Sequence, residues 1–79
     1  VYNLQTKSVE GRGWLMDILH LLERLDETFT LDQMYSFIDE LQLKYPSNNH
    51  IPDKIRQQLQ FLRDKGFIAF RGHGVYKKI

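Results

Sequence analysis

The stretch YPSNNHIPDKIRQQLQFLRDKG, from Tyr45 to Gly66, decides the fold. Tyr45-Pro46-Ser47-Asn48-Asn49 stops one helix, because proline cannot continue it and Ser and Asn favour turns and caps. A new helix is expected from about His50 to Lys65. Pro52 falls in its first turn, where a missing N–H costs nothing. Ile51, Ile55, Leu59 and Leu62 recur at helical spacing and make one apolar stripe. Lys65 and Gly66 close it, a cation at the negative end of the helix dipole and then a residue suited to a left-handed cap.

Upstream, Thr30 followed by Gln33 has the spacing of a capping box, in which each side chain bonds the other residue's backbone N–H. A helix is expected from about Leu31 to Leu43, with Leu31, Met34, Phe37, Ile38 and Leu41 apolar. The run Thr28-Phe29-Thr30-Leu31 before it is short and β-prone. A first helix is expected from near Gly13, its buried stripe made by Trp14, Ile18, Leu21, Leu22 and Leu25. Residues 1–10 read as a linker or arm, and 11–79 as the domain. Downstream, Phe67-Ile68-Ala69-Phe70 and Val75-Tyr76-Lys77-Lys78 read as two strands. Arg71-Gly72-His73-Gly74 joins them, with two glycines available for positive φ. Helix, short strand, helix, helix and terminal hairpin is the order of an α+β winged helix-turn-helix: three helices plus a small antiparallel sheet with one C-terminal wing.

The composition agrees. Seventy-nine residues make one small domain, and an apolar share of 42% is enough for a core. Without cysteine, neither a disulfide frame nor a thiolate zinc site is available. No apolar run approaches the ~20 residues that cross a bilayer, so no membrane partner is expected. The chain begins on Val1, which reads as a piece of something longer. Net charge is only +1, but it is distributed unevenly. Residues 1–43 carry three bases and eight acids, a net of −5; residues 44–79 carry eight bases and two acids, a net of +6. A domain so divided presents its C-terminal half to a polyanion.

Opposite its apolar stripe, the third helix shows Asp53, Gln57, Gln60 and Asp64, with Lys54 and Arg56 beside them and Asn48, Asn49 and His50 on the approach. Asn and Gln match an adenine edge with a donor and an acceptor at once, Lys and Arg favour guanine, and Asp accepts from cytosine. A helix-turn-helix reads bases with the N-terminal part of this helix. Asn48, Asn49, His50, Asp53, Lys54, Gln57 and Gln60 are therefore the expected base-reading set. Arg12, Arg56, Arg63, Arg71, His73 and Lys77 are the expected phosphate contacts, which position a protein without reading sequence. No catalytic or metal site is expected: His20, His50 and His73 are far apart in sequence, and Gly11-Arg12-Gly13 is too short for a phosphate loop and has no strand before it.

Asn48-Asn49-His50-Ile51, Lys54-Ile55-Arg56-Gln57-Gln58-Leu59-Gln60 and Leu62-Arg63-Asp64-Lys65 resemble the C-terminal winged helix of DpnI-type, methyl-directed restriction endonucleases. Arg12-Gly13-Trp14, Phe29-Thr30-Leu31 and Gly72-X-Gly74-X-Tyr76 resemble that family too. The resemblance covers nearly all of the chain from Arg12 on. It implies a reader of duplex DNA carrying 6-methyladenine in GATC, acting from the major groove in the cytoplasm of a bacterial or archaeal cell. It also implies a parent type II enzyme whose nuclease domain, a partner in the same chain, uses Mg²⁺. The 79 residues themselves would be a monomeric binding domain without a cofactor and not an enzyme. The competing expectation is a winged helix serving protein–protein contact or non-specific DNA binding, since the fold does not fix the function.

Overall fold

The computed structural model describes the backbone of residues 9–79 and the side chains from Gly13 onward. Its elements are α1 (Val9–Glu23), β1 (Thr28–Thr30), α2 (Leu31–Tyr35), α3 (Ile38–Lys44), α4 (Ile51–Asp64), β2 (Ile68–Gly72) and β3 (Val75–Lys78). The strands form one antiparallel sheet in the order β1-β3-β2. This is the expected α+β winged helix-turn-helix, with one difference in the middle and smaller ones at the ends.

The helix expected from Leu31 to Leu43 is broken into α2 and α3. Its start is as expected: Gln33 N–H donates to Thr30 Oγ1 at 3.0 Å, and Thr30 N–H donates to Gln33 Oε1 at 2.8 Å. The break comes at Ser36-Phe37. The Ser36 hydroxyl donates to the Gln33 carbonyl at 2.5 Å, and the Phe37 N–H bonds Met34 O, three residues back, at 3.0 Å. A serine hydroxyl competing for a carbonyl one turn back disturbs the regular ladder. Phe37 then takes φ −90° and ψ 3°, outside the helical well, and its carbonyl starts α3 by accepting from Leu41 N–H. Apolar spacing alone did not show this, because Met34, Phe37, Ile38 and Leu41 turn inward on either geometry.

The first helix begins at Val9, earlier than expected, and so takes in the last two residues read as arm; residues 1–8 lie outside the described residues. Gly13 lies within α1, where a Cβ would sit 3.3 Å from the Tyr45 hydroxyl. The α4 terminus matches its expectation closely. Gly66 has φ 84°, its N–H bonds Arg63 O at 3.1 Å, and Phe67 N–H bonds Leu62 O at 2.9 Å. These are the two bonds of a Schellman cap. They occupy Phe67, so β2 starts at Ile68 rather than at Phe67.

The core lies between α1, the α2–α3 pair, α4 and the inner face of the sheet. Trp14, Leu15, Ile18, Leu21, Leu22, Phe29, Met34, Leu41, Ile51, Ile55, Leu59, Leu62 and Ile68 are buried in it. The expected stripe of α4 is therefore wholly inside, each aliphatic side chain contributing ~1.5–3 kcal/mol of transfer free energy. Trp14 stacks on Tyr45 with ring centroids 4.3 Å apart and planes 16° apart. Asp17 holds that corner, accepting from the Tyr45 hydroxyl at 2.5 Å and from Lys44 Nζ at 2.7 Å. Opposite it, Lys78 Nζ donates to the Leu25 carbonyl at 2.6 Å, where the chain leaves α1. No helix of the described residues is long and apolar enough to cross a membrane.

Candidate nucleic-acid interface

The turn between α3 and α4 leads into the helix expected to read bases, and one side chain holds it. The Gln42 amide nitrogen lies 3.0 Å from Tyr45 O, 3.4 Å from Pro46 O and 3.0 Å from Asn48 O. Asn48 adds a local bond of its own, its Oδ1 accepting from His50 N–H at 2.6 Å. Asn48 is among the expected base readers, and here its side-chain oxygen accepts from the backbone of the turn.

Past the turn, Asn49, His50, Asp53, Gln57 and Gln60 are exposed and Lys54 is half-buried. They follow one another along the outer side of α4, away from Ile51, Ile55, Leu59 and Leu62. Asp53 stands between His50 and Arg56: its carboxylate lies 3.9 Å from His50 Nδ1 and makes an ion pair with the Arg56 guanidinium. A carboxylate in the first turn also complements the helix dipole. Gln60 donates to Asp64 at 2.9 Å. No hydrogen bond to another described residue engages the Gln57 side chain, so donor and acceptor are both available to a base edge.

The hairpin is tighter than expected. β2 continues through Gly72, and Arg71 is an extra residue between the pairs Phe70↔Tyr76 and Gly72↔Val75. Only His73 and Gly74 remain as the turn, with φ 52° and 73°, the paired positive angles of a type I′ connection. Gly74 O accepts from Leu31 N–H at 2.8 Å, tying the wing tip to the first turn of α2. Arg71 and His73 are exposed there.

The expected phosphate contacts do not all gather in one place. Arg56 and Arg63, seven residues apart, lie on the side of α4 toward the sheet. The Arg63 guanidinium sits over the Phe70 ring, 5.7 Å from its centroid. Lys77 follows Tyr76 in β3 and so points to the other face of the sheet. It pairs there with Glu27 at 3.6 Å, apart from the arginines. Arg12 has its backbone in α1, and its side chain lies outside the described residues.

Sequence reasoning missed an aromatic row across the sheet. Phe29, Tyr76 and Phe70 are cross-strand neighbours in β1, β3 and β2. Phe29 and Tyr76 stack with centroids 5.5 Å apart, and Tyr76 meets Phe70 at 5.3 Å with a 56° tilt. The row runs from Phe29, 1% exposed, to Phe70, 45% exposed. Burial pushes the Tyr76 phenol above its ordinary value; the nearby Arg63 pulls it back, Tyr35 pushes it up, and Arg56 pulls it down. Tyr76 is therefore a neutral hydroxyl at neutral pH. The signal was present in the alternation of Tyr76 with Lys77 and in the seven-residue spacing of the arginines, but only strand register joins them.

A turn-linked helix pair, an outward polar helix and a short wing are the parts of a helix-turn-helix reader. The family model for the Dam-replacing HTH domain matches residues 10–78. The chain belongs to that family. It is a helix-turn-helix DNA-binding domain, and the resemblance to DpnI-type C-terminal domains holds over almost its whole length. In that arrangement α4 is the second helix of the turn-linked pair and β2–β3 the C-terminal hairpin. Among the described residues, no three His, Asp or Glu side chains are grouped to hold a metal ion.

Proposed function

We propose that the chain reads duplex DNA bearing 6-methyladenine in GATC, as the specificity domain of a type II restriction endonuclease. The observation that carries this reading is the outward face of α4. Lys54 and Gln57 in the first two turns of α4, and Asn49 just before it, lie away from the stripe that α4 buries in the core. Gln57 offers the donor–acceptor pair that suits adenine, and Asn49 offers a second. In a duplex the one remaining N6–H stays paired with thymine and the methyl projects into the major groove, so a reader gains by apolar contact with the methyl while a carboxamide N–H donates to N7. Burying that methyl is worth ~1 kcal/mol, and two methyls of a palindrome about tenfold or more in affinity. Arg71 and His73 at the wing supply contacts that hold register without reading it.

The test is a titration of one GATC duplex in unmodified, half-methylated and fully methylated forms. Affinity should rise with each methyl and fall steeply with salt, because neutralised phosphates release counterions. Equal affinity for the three forms would remove methyl reading and leave non-specific binding. A chain that binds no duplex at low salt would serve protein contact instead.

A further inference from the structure

We propose that Phe70 is a positioning residue that holds Arg63 against a DNA phosphate at the root of the wing. The inference rests on the DNA-binding reading above and gives a part in it to Phe70, which neither base nor phosphate contact had claimed. A phenylalanine 45% exposed on an outer strand of the sheet is not accounted for by core packing. Its strand, β2, packs on α4. Ring follows ring inward from it: Phe70 meets Tyr76 at 5.3 Å, and Tyr76 stacks at 5.5 Å on Phe29, which is buried. The outermost ring is thus tied to the core through its neighbours. Over it sits the Arg63 guanidinium, 5.7 Å from the centroid.

The contact fixes the cation without consuming it. A cation over a ring is held by the ring's quadrupole, which engages its charge and leaves its hydrogen-bond donors for another partner. Among the described residues, no carboxylate lies within ion-pair distance of Arg63 and no hydrogen bond takes up its side chain. The adjacent Asp64 accepts from Gln60 at 2.9 Å, and Arg56 is paired with Asp53. Position along the helix then selects the anion. Arg63 comes six residues after Gln57, roughly 9 Å further along the axis at about 1.5 Å per residue. The major groove is about 8.5 Å deep. A helix that reads bases with its N-terminal turns therefore brings Arg63 level with the backbone rather than with the base edges. The anion there is a phosphate, and a guanidinium can bond two of its oxygens at once.

The test uses the full chain with GATC duplexes, unmodified and fully methylated, across a salt series. Phe70→Leu keeps apolar bulk and removes the ring. It should weaken both duplexes by the same factor, about twofold to fivefold, with the salt slope unchanged, because no charge is lost. Arg63→Gln should weaken both at least as much and reduce the slope by about 0.9. The deciding readout is the two together: in the Arg63→Gln background, Phe70→Leu should cost nothing more, since the ring acts only through the guanidinium. A factor that is the same with and without Arg63 would make the ring a contact or a scaffold part in its own right and overturn the proposal. So would a Phe70→Leu protein that binds like the wild type, or one that loses only the methylated duplex. Phe70→Trp keeps a ring, of stronger quadrupole, and should bind both duplexes at least as tightly as the wild type. Weaker binding by folded Phe70→Trp would overturn the proposal even where the leucine variant folds poorly. Wild-type protein that binds no duplex would overturn the DNA reading and this inference together.

Discussion

The two halves of the chain use charge in opposite ways. In the first, ionic groups cross between elements: Arg24 on the end of α1 bridges to Glu40 of α3 at 3.0 Å, and Asp17 of α1 gathers Lys44 and Tyr45. In the second, the ion pair of α4 is local, Arg56 to Asp53 one turn back on the same helix. Among the described residues, Arg63 and Arg71 have no carboxylate within ion-pair distance. Charge that joins elements belongs to the fold. Charge left on one element is available to a ligand. Two bases of the positive half, Lys44 and Lys77, are likewise tied to acids of the first, Asp17 and Glu27.

Substitutions can break that comparison. The largest effect is expected at Trp14, wholly buried and stacked on Tyr45. Trp14→Ala should lower unfolding free energy by about 3–5 kcal/mol in a denaturant titration. Gln57→Ala should cost about 1–3 kcal/mol of preference for methylated GATC over a scrambled duplex, with the unfolding midpoint unchanged. A lost midpoint with preserved preference would place Gln57 in the scaffold. Asp17→Asn should lower stability by about 1–2 kcal/mol and leave DNA affinity alone, since it loosens a contact between α1 and the end of α3. Arg71→Ala should do the reverse, weakening all duplexes alike and reducing the salt slope by about one, with little change in melting.

The smallest effect concerns Tyr76. Its folded value lies above the ordinary 10.0. The stability it contributes is therefore present below pH 10.0 and is lost as pH rises through the folded value. Tyr76→Phe should flatten the alkaline decline of stability, which urea midpoints measured on either side of that pH would register.

Much of the fold was legible because each signal was local. The Thr30–Gln33 box, Pro52 in a first turn and the Lys65–Gly66 stop each need only a few neighbouring residues, and all three appear as read. The break at Ser36 was not legible, because a hydroxyl bonding back along its own helix leaves apolar spacing intact. Of the candidate interface, the outward placement of Asp53 and Gln57 follows from helical periodicity alone. The bond from His50 N–H to the Asn48 side chain was not legible, because residue type does not say whether an amide is already engaged. The aromatic row escaped notice because Phe29, Tyr76 and Phe70 come from three strands and are joined only by register.

The Gln42 carboxamide gathers the carbonyls of Tyr45, Pro46 and Asn48 from behind the turn, and no outward residue of α4 shares in that hold. On the proposed reading, shape and target preference are therefore inherited separately. Asn49, Lys54, Gln57 and Gln60 can be rewritten by drift, selection or a combinatorial library while the helix stays where Gln42 puts it. One scaffold can then pass through many recognition sequences without refolding on the way.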